Sequence, residues 1–167
     1  MAYRIIIDAQ VPLDPQVNLR TLEQAAAEAL VRTGQPDDAG VAITLVDDVA
    51  IQCLNRDYRG VDEPTDVLSF AAREGENFIV PEGLLLELGD VIISYETAVR
   101  QAQAMGHNPI EELALLTIHG CLHLTGLDHD TPEGQARMWK LQDEGLQALG
   151  YALRSYVPDE GLGLSNE

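Results

Sequence analysis

Three histidines late in the chain are the residues whose type and spacing most clearly allow chemistry. His119, His123 and His129 are three of only 4 histidines in the sequence of 167 residues. His119 and His123 are four positions apart in a stretch with helical periodicity, so both imidazoles leave one helix face, one turn apart. Gly126 then allows a left-handed turn through which His129 can return to the same point. Three histidines with an open fourth position are typical of a catalytic zinc site.

The same spacing occurs in the metzincin metallopeptidases, with one difference. Their motif H-E-x-x-H-x-x-G-x-x-H has a glutamate after the first histidine, which acts as the general base. In this sequence that position is Gly120. The missing carboxylate argues against peptide hydrolysis, but a zinc ion could still activate water towards another electrophile, such as a phosphodiester. A peptidase or amidase that takes its base from elsewhere in the chain stays an alternative.

Two neighbours of the motif are interpreted as structural residues. Cys121 is two positions from His119 and therefore points to the other side of the helix, where we expect a buried thiol. His107 comes just before the helix begins, and we expect it to be a surface residue and not a ligand.

The elements that must position these histidines follow from periodicity and from turn residues. Strands are predicted at 4–9, 41–46, 66–70 and 90–94, and helices at 19–33, around 51–59, and at 95–105, 110–125 and 132–149. Asn108, Pro109 and Glu111 form a capping-box start for the histidine helix. The fold class is therefore α/β (α+β), a small mixed four-stranded sheet covered by about five helices, with a zincin-like metal site. We expect a single catalytic domain at 1–156 and a polar, acidic C-terminal tail at 157–167.

The charge of the chain argues against a protein that binds nucleic acid through its overall field. Lys and Arg number 10 and Asp and Glu number 28, which gives a formal net charge of −18. Such a surface repels phosphate backbones, because counterion release needs clustered cations. A local groove could override this field, and Arg56, Arg59 and Arg73 are the candidates to line it.

Composition also bears on the compartment. No apolar run is long enough for a membrane span or a secretory core, so we expect a cytoplasmic protein. The two cysteines, Cys53 and Cys121, do not suggest a disulfide framework, and both thiols are expected to be reduced.

Three blocks of the sequence resemble one known family. The run from His119 to His129, H-G-C-L-H-L-T-G-L-D-H, is similar to the signature H-G-x-L-H-L-x-G-x-D-H of the YbeY family, bacterial endoribonucleases that mature ribosomal RNA. Residues 58–60 and 64–70 resemble the family's Y-R-G and T-D-V-L-S-F block, and residues 88–94 resemble its G-D-I-x-I-S strand. The blocks follow the family's order. Leu127 and Ala71 depart from commoner family residues, and neither is a proposed ligand.

The resemblance implies a specific activity and specific partners. It implies one zinc ion bound by His119, His123 and His129, with Arg59 and His119 as catalytic residues. The implied enzyme is a single-strand-specific, metal-dependent endoribonuclease that hydrolyses phosphodiester bonds in maturation of the 16S ribosomal RNA 3′ end and in ribosome quality control. The implied partners are single-stranded ribosomal RNA and the small ribosomal subunit with its proteins, with no DNA and no membrane.

Some roles stay open when the residues are considered alone. Arg59 could clamp a phosphate, or it could be a surface arginine paired with a neighbouring acid. Asp66 and Ser69 could bond to substrate or simply pack within a strand, and Asp128 and Asp130 could orient an imidazole or take a proton. A ribosome-assembly binding module with a structural zinc is the remaining alternative, although structural zinc sites normally have four protein ligands.

Overall fold

The computed structural model describes residues 3–72 and 85–151 of the chain. Within these ranges lie four strands: β1 (Arg4–Ala9), β2 (Gly40–Val46), β3 (Val67–Ala71) and β4 (Glu87–Ser94). Five helices accompany them: α1 (Leu19–Arg32), α2 (Asp48–Arg59), α3 (Tyr95–Met105), α4 (Pro109–Leu124) and α5 (Pro132–Ala148). The predicted set of strands and helices is therefore confirmed, with small differences at the ends, such as the earlier starts of α2 and β4.

The sheet is mixed, as predicted, and its strand order is β1-β2-β4-β3. β1 pairs parallel with β2, and β2 pairs parallel with β4. β3 pairs antiparallel with β4, so β3 and β1 are the two edge strands of the sheet that residues 3–72 and 85–151 form. Parallel neighbours need a crossover between them, and α1 supplies the one that joins β1 to β2.

The two faces of the sheet carry different helices, because successive side chains of a strand point to opposite faces. Val67, Val91 and Ile93 point into the main core, which they share with α1 and α4, and we call this side the α4 face. Leu68 and Ile92 point the other way and pack with Ile51 of α2, and we call this side the α2 face. The histidine helix and the helix that carries Arg59 therefore lie on opposite faces of the sheet.

The start of α2 is fixed by a hydrogen-bond network with α3. The Asp48 carboxylate accepts hydrogen bonds from Ser94 Oγ (2.5 Å), Thr97 Oγ1 (2.7 Å) and Arg100 Nη2 (2.8 Å). Burial opposes ionisation of this carboxyl, but the three hydrogen bonds and the Arg100 charge together hold the pKa of Asp48 below its ordinary value. The network ties the start of α2 to the first turns of α3.

The histidine helix α4 runs through the core. Its first turn begins at Pro109, and Glu111 Oε1 accepts a hydrogen bond from the Asn108 backbone N–H at 3.2 Å, as the capping pattern predicts. From Glu112 to Leu124 every residue except His123 is buried. Cys121 is fully buried, which confirms the prediction for its side chain, and both cysteines are free.

The prediction that His107 lies at the surface is wrong. Its side chain is only 10% exposed, and its Nε2 lies 2.7 Å from Oε1 of the buried Glu112. A buried carboxylate needs a polar partner, and this need draws the imidazole inward.

Several expectations lie outside the described residues, namely those for Arg73, for the loop around it and for the tail at 157–167. In the part of the chain that is described, no helix combines the length and the apolar character that a bilayer crossing requires.

Candidate metal centre

The three predicted histidines form one cluster in the structure. His119 and His123 lie on successive turns of α4, with ring centroids 4.7 Å apart. The His129 ring centroid lies 5.6 Å from that of His119 and 5.4 Å from that of His123. One ligand atom from each ring lies within 4.8 Å of the other two, which is close enough for a single ion. We call these three residues the histidine cluster.

His129 reaches the cluster because the chain turns sharply after α4. Gly126 has a φ of +100°, a conformation that other residues rarely adopt. Its N–H donates to the His123 carbonyl at 3.0 Å, and the Asp128 carboxylate accepts from the Asp130 N–H at 3.1 Å. These local bonds define the short loop before α5, as the sequence predicts from the glycine.

Gln142 of α5 fixes the orientation of His119. The amide Oε1 of Gln142 lies 2.6 Å from His119 Nδ1, and both side chains are buried. An amide oxygen only accepts hydrogen bonds, so Nδ1 carries the proton and donates it. The lone pair of His119 Nε2 is thereby left for a metal.

His123 gives a second indication that the cluster suits a cation. Its Nε2 is buried and has no hydrogen-bond partner among the described residues. A buried nitrogen without a partner is costly, and a bound metal would remove that cost. The all-nitrogen donor set, with imidazoles held in place by other parts of the chain, fits a zinc ion with one position left open.

Burial and the neighbouring rings keep the imidazoles of His119 and His123 neutral. Burial, together with the neighbouring His123 and His129, lowers the pKa of His119 to about 3, although the hydrogen bond to Gln142 opposes the shift. Burial and His129 lower the pKa of His123 to about 4, against a hydrogen bond with the Leu127 backbone. Both rings are thus unprotonated at neutral pH, the form that binds a metal.

Two residues of α5 that the sequence analysis missed complete the surroundings. Trp139 is half-buried, and its ring centroid lies 5.5 Å from that of His129 and 6.3 Å from that of His119. Gln142 could have been found, because it falls on the same helix face as the buried Met138, Leu141 and Leu146. A polar residue on an apolar helix face indicates a buried polar partner.

Gly120 explains why the metzincin glutamate has no equivalent here. A Cβ at this position would lie 2.6 Å from Val91 Cγ1 and 3.2 Å from Ser69 Oγ. The Ser69 hydroxyl also donates to the Gly120 carbonyl at 3.1 Å. Because α4 lies this close to the sheet, a glutamate at position 120 would clash with β4.

Arg59 lies at the end of α2, the helix on the other face of the sheet. Its Nη1 donates to Asn55 Oδ1 at 3.3 Å, at the end of α2. The neighbouring Tyr58 ring lies edge-on to Phe70 of β3, with centroids 5.4 Å apart. Ser69 precedes Phe70 and bonds to Gly120 of α4, so the end of α2 and the histidine helix contact neighbouring residues of β3 from opposite faces. The catalytic role of Arg59 stays a prediction.

The other polar candidates have structural partners. Asp66 is 2% exposed, and its carboxylate accepts from Gln101 Nε2 of α3 at 3.4 Å. Ser69 ties β3 to α4, and Asp128 stabilises the loop before His129. These contacts favour the structural interpretation for Asp66 and Ser69. Asp130 is exposed beside His129.

Comparison with known proteins gives a consistent result along most of the chain. A family model described as "Endoribonuclease YbeY" matches residues 8–150. A protein of that name from Moorella thermoacetica is 51% identical over 136 residues, which span 79% of this chain and 86% of the relative. Another, from Symbiobacterium thermophilum, is 48% identical over 133 residues, which span 79% of this chain and 85% of the relative.

A solved structure has the same fold. The solution structure of a Thermotoga maritima protein superposes with a TM-score of 0.59 at 25% identity, covering 87% of this chain and 88% of that one. The sequence and structure comparisons therefore agree over most of the chain and not only on the histidine motif.

Proposed function

The chain belongs to the YbeY family of endoribonucleases, and from this premise we propose that it is a zinc-dependent enzyme that cuts single-stranded ribosomal RNA. The proposed task is maturation of the 3′ end of 16S ribosomal RNA, together with ribosome quality control. The observation that carries the proposal is the histidine cluster, whose ligand atoms lie within 4.8 Å of one another. Gly120 supports RNA over peptide as the substrate, because the glutamate base of the metzincins cannot fit there.

His119, His123 and His129 would hold the ion, and the rest of the site keeps their rings in place. A zinc ion bound there would supply a Lewis acid and would lower the pKa of a water molecule. Gln142 holds the His119 ring in the tautomer that leaves Nε2 free, and Trp139 covers one side of the cluster. The low pKa values of His119 and His123 keep these rings unprotonated at neutral pH.

Arg59 is proposed to neutralise charge on the phosphate. A guanidinium can bind two oxygens of one phosphate, and its charge is most valuable where negative charge develops during cleavage. The hydrogen bond to Asn55, a residue only 1% exposed, positions the Arg59 side chain at the end of α2.

The small ribosomal subunit and its proteins are the proposed partners, in the cytoplasm, with no role for DNA or a membrane. The net charge of −18 disfavours tight binding to naked RNA at physiological salt. A subunit that presents a single-stranded RNA end beside basic ribosomal proteins would supply the attraction that this chain lacks. Weak unaided binding to RNA is therefore expected.

The experiment that tests the function is cleavage of a precursor 16S ribosomal RNA fragment, with a matched duplex as control. We expect zinc-loaded protein to cut the single strand, the duplex to stay intact and a chelator to stop cleavage. The product ends distinguish two reactions, because a 2′,3′-cyclic phosphate requires attack by the 2′-hydroxyl and cannot come from direct attack by water. Intact single strand, both as a free fragment and within a precursor subunit, would contradict the proposal.

A further inference from the structure

Tyr58 is an exposed aromatic side chain that none of the roles above explains. Its side chain is 70% exposed at the end of α2, yet its ring contacts the Phe70 ring of β3. The two ring centroids are 5.4 Å apart, with an interplanar angle of 65°. Edge-to-face contact of this kind stabilises a ring in one position. The chain therefore presents a fixed aromatic surface to solvent.

The backbone around Tyr58 is also fixed. Gly60 ends α2 in a left-handed conformation with a φ of +75°. The buried Asn55 then donates from Nδ2 to the Glu63 carbonyl at 2.8 Å, which holds the chain that leaves the helix. A ligand that binds this surface would therefore lose little free energy in ordering it.

Tyr58 lies across edge strand β3 from the histidine cluster. Phe70, which contacts Tyr58, follows Ser69, whose hydroxyl bonds to the carbonyl of Gly120 beside His119. Adjacent Cα atoms are about 3.8 Å apart, so the Tyr58–Phe70 contact and the Ser69–Gly120 hydrogen bond occur at neighbouring positions along β3, on opposite faces of the sheet. An extended polymer that crosses the edge of β3 could touch Tyr58 on one side while it enters the histidine cluster on the other.

The local charges favour stacking as the way in which this surface binds. The Arg56 guanidinium is paired with Asp57 at 3.1 Å, which reduces its attraction for a phosphate. In a chain of net charge −18, a contact that does not depend on cations would add to the attraction that Arg59 supplies. Stacking of an unpaired base on an aromatic ring is such a contact, and a base-paired duplex does not offer it.

We propose that Tyr58 is a stacking platform for an unpaired base of the RNA strand that runs to the histidine cluster. The proposal rests on the proposed function, because it takes single-stranded RNA as the substrate. It adds a substrate-binding residue outside the metal centre and gives a physical reason for preference for single strands.

The test compares the affinity of four variants for a fluorescent single-stranded RNA by anisotropy, with the RNA checked for integrity on a gel. Tyr58→Ala should raise Kd by roughly 5- to 150-fold, the range expected for loss of one base–aromatic stack. Tyr58→Phe should stay within about twofold of the wild type, because its ring still stacks. Tyr58→Leu keeps apolar bulk against Phe70 without an aromatic face, and it should behave like Tyr58→Ala.

Val49→Ala is the matched control, because Val49 lies on the same helix and is also 70% exposed. It should bind RNA like the wild type, and thermal melts and zinc content should be the same for all four variants. The loss at Tyr58 should persist at high salt, since stacking is screened far less than charge pairing. Equal affinity of Tyr58→Leu and wild type, or no binding of single-stranded RNA by the wild type, would overturn the platform.

The outcome separates this proposal from the proposed function. Normal RNA cleavage together with normal binding by Tyr58→Leu would overturn the platform alone. Binding that depends on Tyr58, in a protein that cuts no RNA, would support the platform and contradict the endoribonuclease activity.

Discussion

Replacement of Gln142 by leucine should weaken zinc binding without contact with the metal. Gln142 and His119 are both buried, and the amide oxygen lies 2.6 Å from His119 Nδ1. Leucine has a similar size but accepts no hydrogen bond, so the Nδ1–H would be buried without a partner. That loss costs about 1–3 kcal/mol, and loss of a partner behind a metal-binding histidine typically lowers metal affinity about 10- to 100-fold. The free-energy cost and the loss of zinc affinity agree, because each tenfold change in affinity corresponds to about 1.4 kcal/mol.

Competition with a chromophoric zinc chelator at neutral pH measures this change directly. Gln147→Leu is the matched control, because Gln147 is exposed on the same helix and should leave the affinity unchanged. Gln142→Glu retains an acceptor for His119 and should bind zinc at least as tightly as the wild type. If Gln142→Leu and Gln147→Leu bound zinc equally well, the assignment of Gln142 as a positioning residue would be refuted.

Three further predictions follow from burial, packing and charge. In metal-free protein, the folded-state pKa values of His119 and His123 are about 3 and 4, whereas in the unfolded chain both histidines take up protons below about pH 6.5. Protons therefore bind the unfolded chain first, and the free energy of unfolding falls as the pH drops from 6.5 towards those folded values. Urea titrations should show a loss on the order of 2 kcal/mol per histidine between pH 6.5 and 5, and a flat profile would contradict burial of the rings. Gly120→Ala should lower the free energy of unfolding, measured in a thermal melt, by about 1–3 kcal/mol, because the added Cβ would clash with Val91. An unchanged melt would show that α4 can move away from the sheet. Arg59→Ala should lower kcat/KM for RNA about 100-fold at unchanged zinc content, whereas Arg56→Ala should leave kcat/KM unchanged. Equal kcat/KM for the two variants would show that Arg59 is not part of the site.

Local rules in the sequence predicted the histidine helix and the convergence of its ligands. The Asn108-Pro109 start, the four-residue spacing of His119 and His123, and the turn at Gly126 all act within a few residues of one another. Such features depend little on the rest of the fold. The predicted elements are confirmed for the same reason, since each follows from a short periodic segment. The mixed sheet was predicted from the order of the elements, with strands mostly early and helices late.

The parts that the sequence did not reveal depend on contacts between distant segments. Gln142 meets His119 only because α5 packs against α4, and β4 enters the sheet between β2 and β3. His107 was expected at the surface, but the buried Glu112 holds it inside. The end of α2, which carries Arg59, and the histidine helix α4 contact neighbouring residues of β3 from opposite faces, and this arrangement depends on how the sheet is assembled.

The central claim is that the histidine cluster is a nuclease centre, and His123→Ala tests it most directly. Zinc-loaded wild type and variant, purified identically, should be compared for cleavage of a precursor 16S ribosomal RNA fragment presented free and within its subunit. A melt by circular dichroism establishes that the variant is folded. We predict that the wild type cuts and that folded His123→Ala has lost both its zinc and its cleavage. Equal cleavage by the two proteins, or a folded variant that retains activity without zinc, would contradict the account.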